Sequence, residues 1–215
     1  MKSYNLNSIL CLSLLFLTFI IPSETRCEFQ YYEKVDDNTV FIHIDKLPGN
    51  VTEFVELRDK VAVTAEGGVV MFILAARIYS KDKEEGMKCF TVALARNNLQ
   101  KNYKGYKGWW PDSSFRWKLK YLDQMPWAAN TYFQGTSPEK GYALPKGPWK
   151  FVVLTNKYSK KKDGMRLLIE TSGADLPRPF FVSKNEKGIW KVSGNASSFF
   201  TGMKKPAVAE EEDDL

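Results

Sequence analysis

The sequence predicts an α+β protein in which an N-terminal helical block packs on a C-terminal antiparallel β-sheet. Residues 50–94 carry apolar positions at helical spacing, with a capping residue ahead of each segment. Residues 149–192 alternate short apolar runs with turn residues, as paired strands do. The two patterns follow one another instead of alternating, which separates α+β from the βαβ arrangement of α/β proteins.

Thr39 to Ile44 places Val40, Ile42 and Ile44 on one face of a strand and Phe41 and His43 on the other, and Pro48-Gly49 breaks it. Asn50 can cap a helix with Glu53 as its capping-box partner, and Phe54, Leu57, Arg58 and Val61 fall at helical spacing. Thr64 and Glu66 open a second helix. Its stretch Val69 to Ala76 is apolar on every side, which places it at the centre of the core, and it ends near Tyr79. Asp82 with Glu85 repeats the cap signature for a third helix, with Met87, Phe90 and Leu94 inward and Asn97-Asn98 closing it. Pro111-Asp112-Ser113-Ser114 reads as a turn and cap ahead of a short helix over Phe115 to Asp123, with Pro126 as its stop. Trp149 to Asn156 and Met165 to Thr171 form a hairpin with the run Lys160-Lys161-Lys162 at its tip. Arg178 to Ser183 and Ile189 to Val192 form a second hairpin.

The first 27 residues read as an export signal: Lys2 supplies the positive start, Ile9 to Ile21 is an apolar run of 13 residues, and Pro22-Ser23 ends it. A spanning helix needs roughly 20 apolar residues, so cleavage is expected and no transmembrane helix follows it. Residues 28–206 then form a single α+β domain, and residues 207–215 a disordered acidic tail. Export to the periplasm, the outer surface or the medium permits disulfides. Cys11 leaves with the signal, and Cys89 sits in an apolar helical pattern as a buried thiol; a Cys27–Cys89 bridge is the alternative, and it requires cleavage upstream of Cys27.

The net charge is +6, and the last six residues hold five acids, so the body is more basic still. A basic body attracts anionic partners: acidic envelope or host glycan, or lipid headgroups, with nucleic acid disfavoured by export. The usual catalytic signatures are missing. There is no phosphate-cradling glycine loop, no nucleophile elbow and no His-Glu-x-x-His, and His43 is the single imidazole. No metal or cofactor is expected. Glu170 and Asp175 flank a loop at a strand end and could serve a glycan hydrolase, but Asp175 with Arg178 reads more simply as a clamp that pins the loop. Between Tyr103 and Phe133 the chain is dense in aromatics interleaved with Lys104, Lys107, Arg116, Lys118 and Lys120. Trp109, Trp110, Trp117 and Trp127 could stack on sugars, or could close the core between helices and sheet. Together with Asp175 and Arg178 they are the candidate binding residues. The leading expectation is a non-catalytic binding or structural role. A carboxylate-based glycan hydrolase and a small-ligand carrier are the alternatives.

Three stretches carry a family resemblance: Thr64 to Leu94, Tyr132 to Tyr142 (YFQGTSPEKGY), and Ser172 to Val192 (SGADLPRPFFVSKNEKGIWKV) with Ser197 to Gly202. They resemble a bacterial exported family known only as a domain of unknown function, over roughly Pro48 to Pro206. The resemblance implies a bacterial source and no catalytic residues. Gly188 to Val192 also resembles the last strands of cone-shaped nuclear-transport-factor-like domains, which supplies an alternative fold.

Overall fold

The structure is a computed structural model that describes residues 29–156, 159–194, 196–199 and 201–207. The segment read as an export signal, and all but Ala207 of the acidic tail, lie outside the described residues. The fold is α+β. Strands β1 (Tyr32–Lys34) and β2 (Thr39–Ile44) precede the helices α1 (Val51–Val61), α2 (Ala65–Tyr79) and α3 (Lys83–Ala93). A hairpin of β3 (Leu99–Tyr106) and β4 (Trp109–Pro111) leads to α4 (Ser113–Gln124). Strands β5 (Trp149–Leu154), β6 (Lys160–Lys161), β7 (Gly164–Ile169), β8 (Arg178–Lys184) and β9 (Trp190–Gly194) complete the chain's regular elements.

The main sheet is antiparallel in the order β1-β2-β5-β7-β8-β9, with β6 folded back on β7. The early strand β2 therefore belongs to the C-terminal sheet, where it pairs with β5 along its whole length. The reason is in the register. Ile42 faces Phe151, Val153 faces Ile169, Leu167 faces Phe180 and Val182 faces Val192. All eight side chains are buried, so the sheet presents one continuous apolar face to the helices.

Helix α2 lies against that face, and 14 of its 15 residues are buried. Phe72 sits at its middle, with ring centroids of Phe90, Phe180, Phe199 and Phe115 at 5.3, 5.5, 5.4 and 5.9 Å. Close approach is purchased with glycine at Gly86, where a Cβ would fall 2.1 Å from the Tyr79 Cα; α3 crosses α2 there.

The caps are those the sequence predicts. Asn50, Thr64, Asp82 and Asp112 each accept from backbone N–H groups in the first turn of α1, α2, α3 and α4. Neither expected capping box closes on its cap residue: the Glu53 carboxylate accepts from the Gly49 N–H at 2.9 Å, one residue ahead of Asn50, and Glu85 turns to another helix. Its carboxylate accepts from the Val51 N–H of α1 at 2.8 Å and pairs with Lys88, so it ties two helices together. Helix α3 also ends at Ala93, ahead of Asn97-Asn98. Leu94 turns extended to bridge Val192 of β9, and the Ala95 N–H donates to the Val192 carbonyl at 2.8 Å. That contact covers one end of the edge strand β9.

The expected short helix over Phe115 to Asp123 is present as α4. β3 and β4, which the aromatic composition does not announce, form a two-stranded sheet apart from the main one. Lys107 at φ 51° and Gly108 at φ 78° turn the chain between them. Cys89 is a free, fully buried thiol, and burial pushes its pKa up to about 12. Cys27, its alternative partner, lies outside the described residues. Among the described residues, no helix is long and apolar enough to cross a membrane.

Candidate anion-binding cleft

The structure disperses the six candidate residues read from the sequence. Asp175 and Arg178 do not clamp one another. The Asp175 carboxylate is exposed and pairs with the Lys204 ammonium at 2.6 Å, which holds the carboxyl below its ordinary range. The Arg178 guanidinium donates to the carbonyls of Thr201 and Gly202 at 2.9 and 3.3 Å. Both residues grip the C-terminal segment, which Tyr142 also holds through its hydroxyl on the Lys204 carbonyl at 2.9 Å. Phe199 anchors the same segment by stacking on Tyr132 at 4.7 Å.

Glu170 and Asp175 do not share a groove. Glu170 lines a shallow one of about 220 Å³ with Thr131, Thr136, Thr171 and Ser172, and Asp175 is not in its wall. Those hydroxyls are satisfied by one another and by main-chain carbonyls, with Thr171 on Thr131 at 2.7 Å and Thr136 against Ser172 at 2.9 Å. The cluster is a structural staple between strand β7's end and the 3-10 turn Ala128–Tyr132.

The four tryptophans divide. Trp117 is 58% exposed on α4, edge-on to Tyr121 at 5.7 Å. Trp110 is half-buried and packs against the core. Trp127 is half-buried with its indole N–H in the interior and without an acceptor. Trp109 stands in a cavity wall together with a group of charged side chains.

That cavity, of about 220 Å³, lies where α1, the end of α3, the β3–β4 hairpin and β9 meet. Arg58 enters from α1, Arg96 from the turn after α3, Lys107 from the hairpin and Lys191 from β9; Trp109 and Tyr106 supply the rings. Among the described residues, no acidic side chain is in its wall. The Arg96 guanidinium lies flat on Trp109, 3.0 Å from the ring centroid. Arg58 is held by Asp59 at 2.7 Å, outside the wall. Lys191 is the most buried of the four. Its Nζ donates to the Val92 carbonyl at 2.7 Å, in the last turn of α3, where the helix dipole favours a cation. Burial pushes its pKa down to about 8, and the charge of Arg58 adds to the effect.

A second, wider basin of about 640 Å³ opens beside the first. The two share Arg96, Leu99 and Lys191. The wider basin adds Lys184 and Lys187 from the β8–β9 turn, with Glu186 as its one acid. The result is a cleft with a narrow aromatic end and a broad lysine-rich end. Like charges lining one small cavity repel one another, Arg58 less than the others because Asp59 pairs with it, and that repulsion is relieved when an anion enters.

A family model for a domain of unknown function, DUF6935, matches residues 46–207. The chain belongs to the DUF6935 family. The match covers all four helices and the strands β3 to β9, and so both ends of the cleft. No curated protein and no solved structure matches the chain.

Arg58, Arg96 and Lys191 are absent from the residues that the sequence alone singles out. Two signals could have found them. Arg58 shares its helical spacing with Phe54, Leu57 and Val61, all of which are buried. Lys191 falls between Trp190 and Val192 in a strand that reaches the core. A cation forced into a half-buried position marks a site more sharply than an exposed tryptophan does.

Proposed function

We propose that this DUF6935 protein is a single-domain, non-catalytic binding protein of the bacterial envelope or exterior, and that it holds an anionic ligand in the cleft around Arg96 and Lys191. The observation that carries the reading is four cationic residues and an indole around one small cavity that no acid lines among the described residues. Convergent cations in a partly desolvated pocket attract and orient an anion, and the Trp109 and Tyr106 rings supply apolar surface for its uncharged part. A non-catalytic role fits the wall. Glycan hydrolysis needs two carboxylates across one cleft, and among the described residues Glu186 is the single acid in either basin. The export signal at residues 1–27 and the net charge of +6 point to the same kind of ligand, an anion met outside the cytoplasm.

Calorimetric titration with uronic acid saccharides and their neutral counterparts, read together with tryptophan fluorescence, tests this. The acidic saccharides bind, the neutral ones do not, and Arg96→Gln with Lys191→Gln removes the binding while the circular dichroism spectrum is kept. Equal response to acidic and neutral saccharides, or none to either, overturns the reading. Mass spectrometry of the N-terminus of the exported protein tests cleavage.

A further inference from the structure

Resting on the anion-binding reading, we infer that the ligand is a linear acidic polysaccharide that occupies both basins at once, with its charged sugars passing from the narrow end across Arg96 and Lys191 to the lysines of the β8–β9 turn. The two basins are not separate sites. Arg96, Leu99 and Lys191 stand in the walls of both, so a ligand in one is in contact with the threshold of the other. Cations continue on either side of that threshold: Arg58 and Lys107 in the narrow basin, Lys184 and Lys187 in the wide one. A single small anion satisfies two or three of these groups and leaves the rest facing each other. A chain with a charge on each repeat satisfies them in sequence.

The chemistry of the walls favours sugar over nucleotide. Bases bind without sequence preference by stacking on open aromatic platforms. Arg96 already covers one face of Trp109, and among the described residues the wide basin has no aromatic side chain in its wall. A uronic acid needs only a small apolar contact and a cation for its carboxylate, and in the narrow basin Tyr106 and Leu99 supply the one and Lys191 the other. Lys184 and Lys187 are exposed, and the Lys184 ammonium rests over the Trp190 ring, 5.3 Å from its centroid, a contact weak enough at the surface to yield to a carboxylate. Glu186, between them, opposes the same ligand.

The test is a length series of galacturonic acid oligomers, from the monosaccharide to the octasaccharide, titrated into the full chain at low and moderate salt. Affinity rises by about tenfold or more from the shortest oligomer that binds to the octasaccharide. The octasaccharide also shows the steeper salt dependence. The exposed pair change Lys184→Ser with Lys187→Ser weakens the octasaccharide by about tenfold and leaves the shortest binder within about twofold. Glu186→Gln moves the octasaccharide the other way, toward tighter binding. Equal affinity across the length series, or no effect of either variant on the long oligomers, overturns the two-basin ligand and leaves the anion-binding reading standing. A single-stranded oligonucleotide of matched charge that binds as tightly overturns the choice of polysaccharide. Absence of binding by every acidic saccharide overturns both.

Discussion

The Arg96 guanidinium rests on the Trp109 indole with its central carbon 3.0 Å from the ring centroid. The pairing joins the turn after α3 to the β3–β4 hairpin, and it fixes the direction in which the arginine's donors face the cleft. Arg96→Lys keeps the charge but loses the planar stack. It lowers stability by about 1 kcal/mol in urea denaturation and weakens acidic saccharides, while Trp109→Ala does both and also abolishes the fluorescence change on binding.

Lys191 makes the cleft sensitive to pH. Its pKa in the folded chain is about 8, below the ordinary 10.5. Between those values the unfolded chain binds more protons than the folded one, so stability rises with pH through that window; below about pH 8 the folded state bears the whole cost of the buried ammonium. Ligand affinity runs the other way. An anion favours the protonated amine, so affinity is highest below pH 8 and falls as the pH passes through it. Arg58 from α1, Arg96 from the turn and Lys107 from the hairpin line the same cavity, and Lys191→Met identifies the responsible group by flattening the affinity profile around pH 8 and the stability profile between about pH 8 and 10.5. Calorimetry checks the first and thermal melts the second.

Phe72 carries the packing between α2, α3, α4 and the sheet through its four ring contacts. Phe72→Ala empties a volume that rings from four separate elements cannot collapse to fill. It costs about 3–5 kcal/mol, visible as a fall in the urea midpoint without a large change in slope.

Gly86→Ala tests the crossing of α2 and α3. A methyl group there meets the Tyr79 main chain at 2.1 Å, so one helix must move. The gain in helix propensity, about 1 kcal/mol, is outweighed by overpacking of about 1–3 kcal/mol or more. The net is a lower melting temperature.

Cys89 is sealed in the core, and its thiol is pushed up to about 12. An aromatic disulfide reagent leaves it unreacted in the native protein at neutral pH and titrates it fully in denaturant. Rapid reaction in the native state contradicts the buried thiol.

Much of the architecture is local enough to be read directly. Asn50, Thr64, Asp82 and Asp112 begin the four helices because a side-chain oxygen needs only the N–H two or three residues on. The all-apolar Val69 to Ala76 lies in the middle of the core because such a helix has no face to give to water. The β3–β4 hairpin escapes because its turn, Lys107-Gly108, sits among aromatics that suit a core equally well. The end of α3 escapes because Val192, almost a hundred residues later, captures Leu94 and Ala95. A contact at that separation leaves no trace in a sequence window.

By itself, then, the order of residues determined the class of fold, the helix starts, the strand faces and the basic charge, all of which rest on periodicity and near-neighbour hydrogen bonds. Only the tertiary structure decided that Arg58, Arg96, Lys107 and Lys191 share one cavity, and that Asp175 and Arg178 grip the C-terminal segment rather than each other. Those groups come from distant parts of the chain. What brings them together is the burial of one apolar sheet face against α2, which fixes where the polar ends of every other element must emerge.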